Sequence, residues 1–442
     1  MLNTLCRWML VGCLLVSVSA RALDSPDFPR LAGVNYSGPF DYNSSSYQQQ
    51  LAKVNLSILT MYPGIKPGGM SMNDVINRIK AINPDTLVFF YVNSTELGSR
   101  SVLGDAWDDM RAKLDSMKWW LYPSQTSGTP LTSTFGTQYA AINNSLNTRR
   151  DSNGNNSVEW MTRYFVSAFA NPNPSADGLF MDNVFWKPRT SGDWNLDGSS
   201  DDKNSAQTAS WLRAGFRRHV DLAKSLMPGK YQLANIADWG APDAVYPELS
   251  GQFHGGLMEG IVGKSWSVET FGGWSKMMAW YRKSMAAVAA PKLVIFNQSG
   301  SSTDYQAMRY GLASCLMDDA YYNFTDASKG YHGVVWFDEF DAALGQATAG
   351  PSLTAWQNGV YRRDFEHGIA LVNPKGNGTV TVTLEADFQR LSGSQAPSIN
   401  NGQVTRTVTL KDRDGILLLR NGSSAAAVKA ARPAAPQGVS VE

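Results

Sequence analysis

The chain has 442 residues, of which 43% are hydrophobic, a composition typical of a globular protein and a length too great for one compact core. Its 39 Lys and Arg residues nearly balance its 38 Asp and Glu residues, so charge gives no basis for binding nucleic acid or an anionic membrane. We expect two domains, no nucleic-acid partner and no stable membrane insertion, and we take the protein to be a monomer.

The first residues have the pattern of an export signal. Arg7 precedes an apolar run from Trp8 to Val18, and Ala20-Arg21-Ala22 provides small residues around a cleavage site. The apolar run is too short for an ordinary transmembrane helix, and Leu10-Val11-Gly12-Cys13 resembles a lipoprotein box but lies too early in that run. We expect residues 1–22 to be a signal peptide and the mature protein to be periplasmic or extracellular.

Two of the three cysteines, Cys6 and Cys13, lie in this segment. The mature chain then keeps only Cys315, which excludes an internal disulfide. Cys315 lies in an apolar helical run from Arg309 to Leu316, and we predict a buried structural thiol there.

After residue 30, short apolar runs that end in polar residues alternate with helical patterns. The predicted strands are Leu31–Tyr36, Leu56–Tyr62, Leu87–Asn93, Gly178–Asn183, Tyr231–Asn235, Gly256–Glu259, Leu293–Asn297 and Ala320–Phe324. The clearest predicted helices are Ser71–Ile82, Ala206–Met227, Gly273–Ala289 and Asp304–Met317. Eight strand–helix units predict an α/β fold, a closed (β/α)8 TIM barrel over residues 23–350.

A long insert separates the third and fourth predicted strands. It holds Trp107, Trp119, Trp120, Tyr122 and a Ser/Thr/Gly stretch from Ser124 to Thr137. Long barrel loops commonly shape a substrate groove. Core packing of the aromatic residues and disorder of the polar stretch are the alternatives.

The pattern changes between Gly359 and Leu419, where short alternating runs are separated by Gly and Asn turns. This pattern is typical of antiparallel strands. We predict a small antiparallel β-sandwich over residues 351–422. The Ala/Pro-rich residues 423–442 are expected to form a disordered tail.

Two carboxylates stand at the ends of predicted strands, Asp182 on the fourth and Glu259 on the sixth. The carboxyl ends of barrel strands form the usual site of chemistry, and a charge in apolar surroundings is costly unless it is paired or used. Glycoside hydrolysis needs two such carboxyl groups. A structural ion pair or a loop cap is the alternative for each, and Asp177, which begins the fourth strand, is expected at the opposite, stabilising end.

The seventh strand ends in Asn297-Gln298 and offers no carboxylate, so the layout looks like that of barrels with a nucleophile on strand four and an acid/base on strand six. We assign Asp182 as nucleophile and Glu259 as acid/base. Reversed roles and an inverting reaction remain open. The distance between the carboxyl groups decides, at about 5 Å for retention and roughly 6.5–9.5 Å for inversion.

Other polar and aromatic residues beside the strand ends could bind substrate. Asp338 and Glu339, after the eighth strand, either bind sugar hydroxyls or cap the junction with the β domain, and Asp238 is a further rival. The candidate substrate-binding residues are Asn35, Tyr62, Tyr91, Asn93, Asn183, Asn235, Trp239, Trp336, Asp338 and Glu339.

A separate loop has oxygen ligands at alternate positions, namely Asp193, Asn195, Asp197, Ser199 and Asp201, with Gly198 for the turn. This spacing resembles the first half of a calcium loop. Asn204 stands where an EF-hand has its bidentate Glu, so a shorter calcium loop or a metal-free turn remains open. The sequence has no zinc spacing, serine elbow, phosphate loop or dinucleotide fingerprint, and we expect no cofactor for catalysis.

The segment Asp177–Asn183, DGLFMDN, is similar to a signature of several glycoside-hydrolase-like barrels. With the Asp/Asn loop after it, the later WFDEFD stretch, and Tyr361–Phe365 before Val372-Asn373-Pro374, the chain resembles the hypothetical glycosyl hydrolase family fifteen of bacterial proteins over Leu31–Leu419. The resemblance implies a barrel and polysaccharide cleavage, with the family's strand-four aspartate at Asp182. The assignment of Glu259 depends on the strand count.

Three functions share this fold. The first is an exported hydrolase with a polysaccharide substrate, either an exopolysaccharide or an envelope glycan. The second is a non-catalytic carbohydrate-binding protein, and the third is an assembly factor of an envelope polysaccharide system. The paired carboxylates favour the first.

Overall fold

The computed structural model describes residues 25–35, 39–60, 66–98, 105–124 and 128–421. The predicted signal peptide, Tyr62 and the predicted tail at 423–442 lie outside the described residues. Among the helices that the structure describes, none has both the length and the apolar composition needed to cross a membrane.

The described residues form the predicted barrel, a parallel sheet of eight strands. The strands up to the end of the barrel are β1 (Ala32–Asn35), β2 (Leu56–Leu59), β3 (Leu87–Asn93), β4 (Glu96–Gly98), β5 (Thr132–Ser133), β6 (Gly136–Ala141), β7 (Gly178–Asp182), β8 (Tyr231–Asn235), β9 (Gly255–Val262), β10 (Leu293–Gly300) and β11 (Tyr321–Asp326). The barrel order is β1-β2-β3-β7-β8-β9-β10-β11. A parallel bridge between Leu31 and Tyr322 joins the last strand to the first, which confirms the (β/α)8 prediction.

Helices follow most of the barrel strands. They are α1 (Ser45–Ala52), α2 (Met72–Ile82), α3 (Asp105–Met117), α4 (Ser157–Phe165), α5 (Ala206–Leu226), α6 (Val268–Ala287) and α7 (Tyr305–Cys315). Side-chain caps fix where several begin, because the first N–H groups of a helix have no partner within it. In α2, Ser71 and Asp74 cap each other's backbone in a capping box.

The insert between β3 and β7 contains a small antiparallel sheet in the order β4-β6-β5, together with α3 and α4. Trp119, Trp120 and Tyr122 are buried and belong to the main core. For these aromatic residues core packing is therefore the observed role.

The barrel interior is filled by apolar side chains in its lower layers and by polar ones at its mouth. The apolar residues are Ala32, Val34, Leu56, Ile58, Leu87, Phe89, Phe180, Leu233, Leu257, Leu293, Ile295 and Tyr321. Side chains alternate between the two faces of a strand, so residues two positions further on point inward as well. Asp182 follows Phe180, Asn235 follows Leu233 and Glu259 follows Leu257 in this way, which brings their side chains to one end of the interior.

The C-terminal domain is the predicted antiparallel β structure. Its strands are β12 (Tyr361–Asp364), β13 (Gly368–Asn373), β14 (Val380–Arg390), β15 (Val404–Leu410) and β16 (Asp414–Arg420), in the order β12-β13-β16-β14-β15. The register of β14 shifts between Thr383 and Phe388, and only the part after the shift pairs with β16. One face of β13 and β16 packs on the barrel, and the other packs on β14 and β15 in a separate core.

Helix α7 fastens this domain to the barrel. Arg309 pairs with Asp414 at 3.0 Å, and both side chains are buried. A Cβ built on Gly415 would lie 2.5 Å from the Cβ of Ala313, so β16 approaches the helix closely. Cys315, at the end of α7, is buried, and burial raises the pKa of its thiol. It is therefore a packed, neutral thiol, as the sequence predicts.

Candidate active site

Asp182 and Glu259 meet at the barrel mouth, and Asn235 lies between them. The Asn235 amide nitrogen donates to Oδ1 of Asp182 at 3.0 Å and to Oε2 of Glu259 at 2.8 Å. These residues come from the adjacent strands β7, β8 and β9. The fold thus brings two carboxylates that are 77 positions apart in the sequence to one amide group.

Each carboxylate has further donors. The Tyr91 hydroxyl donates to Oδ2 of Asp182 at 2.7 Å, and the Asn183 backbone N–H donates to Oδ1 at 2.9 Å. The hydroxyl of Tyr331, from the loop after β11, donates to Oε1 of Glu259. These bonds hold both carboxyl groups in fixed orientations, which is the preorganisation that catalysis requires.

Burial and the neighbouring charge of Glu259 together raise the pKa of Asp182 to about 6. The donors Tyr91, Asn235 and Asn183 oppose this shift but do not cancel it. Because a negative charge on Glu259 repels one on Asp182, Asp182 keeps its proton to a higher pH than an isolated aspartate would. A retaining glycosidase needs one carboxyl group protonated and the other charged, and the raised pKa of Asp182 by itself favours Asp182 as the protonated one.

An irregularity in β9 sets the position of Glu259. Met258 pairs with Phe296 and Val262 pairs with Gln298, so Glu259–Ile261 oppose a single residue of β10. Such bulges re-aim side chains and occur often beside active sites. Gly260 adopts φ +54 within the bulge, and its N–H donates to Oδ1 of Asn297 at 2.8 Å.

Glu96 is a third carboxylate near Asp182, and no sequence pattern predicts it. It accepts from the Asn183 amide at 2.8 Å and from the Ser133 hydroxyl, which β5 supplies. Burial raises the pKa of Glu96, and the charge of Asp182 raises it further. Asn93 helps to place it, since its Oδ1 accepts from the backbone N–H groups of Thr95 and Glu96.

Two predicted substrate-binding residues lie away from the mouth, and these predictions need correction. Trp239 is fully buried and its indole N–H donates to the Val184 carbonyl at 2.9 Å, so its ring cannot stack on a sugar. Asn35 follows Val34, whose side chain points into the barrel, so the side chain of Asn35 points outward to the helices. Its Oδ1 accepts from the Tyr47 hydroxyl of α1 at 3.0 Å.

Trp336, Asp338 and Glu339 are also not at the mouth, because the chain after β11 runs back along the barrel. Lys53, which precedes β2 at its amino end, lies over the Trp336 ring at 4.9 Å. Oδ2 of Asp338 accepts from the Gln395 backbone N–H at 2.8 Å.

Glu339 is buried in the same region, and its Oε1 accepts from the Asn400 amide at 2.8 Å. The Gln395 side-chain amide donates to the Trp336 carbonyl at 3.0 Å. Trp336, Asp338 and Glu339 therefore join the barrel to the C-terminal domain. For the two carboxylates this is the second of the roles that the sequence left open.

The other rival carboxylate, Asp238, lies in the loop after β8 and pairs with Arg189 at 3.4 Å. Burial raises its pKa to about 7 although Arg189 opposes the shift. Its described contacts are with the loop after β7 and not with Asp182 or Glu259. At the other end of β7, Asp177 accepts from Lys80 and from the Val88 backbone N–H, both at 2.7 Å, as expected for a stabilising residue.

The loop predicted to bind calcium, Asp193–Asp201, is closed by its own hydrogen bonds. Oδ2 of Asp193 accepts from the Gly198 N–H at 3.0 Å, and the Asn195 amide donates to Asp197 at 2.9 Å. In the part of the chain that the structure describes, no group of three or more His, Cys, Asp or Glu side chains is arranged to hold a metal ion. The calcium site stays a prediction.

Calcium binding by this loop is tested by the melting temperature of chelator-treated protein. If the loop binds calcium, a millimolar addition raises the melting temperature, because a ligand that binds only the folded state stabilises it. The variant Asp197→Asn should lose the rise while keeping the loop's length and polarity. An unchanged melting temperature in the native protein would contradict the prediction.

Solved structures of several glycoside hydrolases are similar to this chain at low sequence identity. An α-amylase from Anoxybacillus is 10% identical to this chain. The match covers 89% of this chain and 98% of the amylase chain, with a TM-score of 0.49. A maltogenic α-amylase, AmyB, from Thermotoga neapolitana is 9% identical over 88% of this chain and 97% of its own, with a TM-score of 0.47. The glycoside hydrolase domain of PelA from Pseudomonas aeruginosa is 12% identical over 70% of this chain and 99% of its own, with a TM-score of 0.40.

No curated protein matches the sequence. The model of hypothetical glycosyl hydrolase family 15 matches residues 80–369, a range that contains Asp182, Asn235, Glu259 and Tyr331. This match covers more than half of the chain and confirms the resemblance seen in the sequence. The chain therefore belongs to the hypothetical glycosyl hydrolase family 15.

Proposed function

We propose that this protein is an exported, retaining glycoside hydrolase that cleaves a bacterial exopolysaccharide or envelope glycan with Asp182 and Glu259. The observation that supports this most directly is the double hydrogen bond from one Asn235 amide to both carboxylates. The signal-like residues 1–22 support export. Membership of a glycosyl hydrolase family supports the reaction class.

The Asn235 bridge also supports retention. An amide nitrogen directs its two N–H bonds about 120° apart, and linear bonds to acceptors at 3.0 and 2.8 Å would set the two acceptor oxygens about 5 Å from each other. Retaining enzymes place their carboxyl groups about 5 Å apart, whereas inverting enzymes leave room for a water molecule between carboxyl group and sugar. The spacing favours direct attack by one of the two carboxylates.

In the proposed reaction, Oδ1 or Oδ2 of Asp182 attacks the anomeric carbon while Glu259 gives its proton to the departing glycosidic oxygen. A covalent glycosyl ester forms on Asp182 and the C–O bond to the leaving sugar breaks. Glu259 then takes a proton from water, whose oxygen attacks the same carbon and releases Asp182. Tyr91, Asn235 and the Asn183 N–H all donate to Asp182 and favour its charged, nucleophilic form, against the effects of burial and of Glu259.

We expect the first product to keep the anomeric configuration of the cleaved bond. Two successive displacements at one carbon restore the original configuration. Proton NMR of the anomeric region during the first minutes of cleavage, before mutarotation, makes the measurement. A sample left to reach mutarotation equilibrium identifies both anomeric signals, and initial appearance of the opposite anomer would contradict the retaining mechanism.

A further inference from the structure

The loop after β9, the strand that carries Glu259, holds an exposed tryptophan. Trp266 is 54% exposed, although large aromatic side chains of this protein are mostly buried. A Cβ built on Gly260 would lie 2.5 Å from Cη2 of Trp266, so the edge of the indole lies against the residue that follows Glu259. More than half of the residue's surface is therefore open to solvent at the carboxyl-terminal end of the barrel.

Hydrogen bonds hold this loop in one conformation. The Ser267 hydroxyl donates to the Gly260 carbonyl and accepts from the Lys264 N–H, the latter at 2.8 Å. The Thr270 hydroxyl donates to the Lys264 carbonyl at 2.9 Å. These bonds join the two ends of the loop and restrain the backbone that carries the exposed Trp266.

Gly260 is required for this arrangement in two respects. Its φ of +54 is unfavourable for other residues, and a side chain there would collide with the indole. The backbone beside Glu259 is thus shaped to admit the ring. A rigid aromatic face next to a binding cleft loses little conformational entropy when a ligand covers it.

We propose that Trp266 is a sugar-binding platform, which stacks on the apolar face of one pyranose ring of the substrate. This inference rests on the proposed function. The C–H groups on one face of a pyranose suit the electron-rich face of an indole, and covering both surfaces removes apolar area from water. Gly260 directly follows Glu259 in β9, so a sugar stacked on Trp266 would lie at the part of the barrel mouth where β9 ends.

The test measures binding separately from cleavage, in protein that carries Asp182→Asn. The electrophoretic mobility of this Asp182→Asn protein is measured in native gels that contain hydroxyethyl cellulose, dextran, glycol chitosan or alginate. The same measurement is made on protein that also carries Trp266→Ala. We expect retardation in at least one gel and a dissociation constant about tenfold higher without the indole, the effect of losing one well-covered aromatic face. Trp266→Phe should recover part of the binding.

Phe271 supplies the matched control. It is 58% exposed on α6 and packs edge-to-face on Trp280 with ring centroids 6.2 Å apart. Phe271→Ala should leave the retardation unchanged. Equal retardation with and without Trp266, or no retardation in any of the gels, would overturn the platform. If binding depends on Trp266 but the native protein cleaves nothing, the platform stands and the hydrolase proposal fails.

Discussion

Replacing Asp182 with Asn, or Glu259 with Gln, should each lower polysaccharide cleavage at least about 100-fold, because each change removes a nucleophile or an acid/base. Both substitutions keep the size of the side chain and its capacity to accept from Asn235. The measurement is reducing-sugar release from a panel of bacterial exopolysaccharides, with circular dichroism to verify folding. Asp338→Asn is the control, since Asp338 lies at the junction with the C-terminal domain and should leave cleavage unchanged.

Azide separates the roles of the two carboxylates. With an activated aryl glycoside and azide, Asp182→Ala should release a glycosyl azide of inverted configuration, because azide takes the place of the missing nucleophile. Glu259→Ala should release the retained azide, since the covalent intermediate still forms and azide attacks it. If Asp182→Ala gave the retained azide and Glu259→Ala the inverted one, Glu259 would be the nucleophile and Asp182 the acid/base. Full cleavage by both variants would show that neither residue takes part in the mechanism.

The sequence was sufficient to predict the barrel and the main residues of its mouth, because both depend on local patterns. Apolar runs of strand length alternate with helical patterns. The side chain of a polar residue that ends such a run points either into the barrel interior or towards the helices. Asp182, Asn235 and Glu259 each lie two positions after an interior apolar residue. The same alternation of side chains excludes Asn35 from the barrel mouth, because Asn35 lies one position after the interior residue Val34.

Glu96 and Tyr331 could not be found in this way, because loops supply them. Glu96 begins a three-residue strand of the insert, and Tyr331 follows the last barrel strand. Their hydrogen bonds to Asn183 and Glu259 join residues 87 and 72 positions apart. No periodic pattern in the sequence reports such a distance.

The errors at Trp336 and Trp239 have a different physical origin. A tryptophan near a strand end has the same sequence signature whether its indole packs in the core or faces a cleft. The direction of the chain after β11 decides the position of Trp336, and that direction depends on contacts with α1 and the C-terminal domain. Conversely Trp266, which the sequence analysis passed over, is identified by its exposure and by the close approach of Gly260.

The charge on Asp182 should cost the fold stability above pH 6, and Asp182→Asn should recover it. Burial and the charge of Glu259 raise the pKa of Asp182 to about 6 in the folded protein, whereas an unfolded chain has about 3.9. The folded state therefore holds this proton more tightly. Stability is unaffected below about pH 4, falls as the pH rises towards 6, and stays lower above it, by on the order of 2–3 kcal/mol.

Asn fits the position because Oδ1 can still accept from Asn235 and Asn183, while the new amide donates to the Tyr91 hydroxyl. We therefore expect Asp182→Asn to melt above the native protein at pH 7.5 and within a degree or so of it near pH 4, since about 1 kcal/mol corresponds to a few degrees. Asp177→Asn on the same strand should melt lower at pH 7.5, because it loses the 2.7 Å pair with Lys80. A lower melting temperature for Asp182→Asn at pH 7.5 would mean that its three donors outweigh burial and the repulsion from Glu259. The carboxylate would then stabilise the fold, and its low basicity would suit a nucleophile that is charged at every working pH.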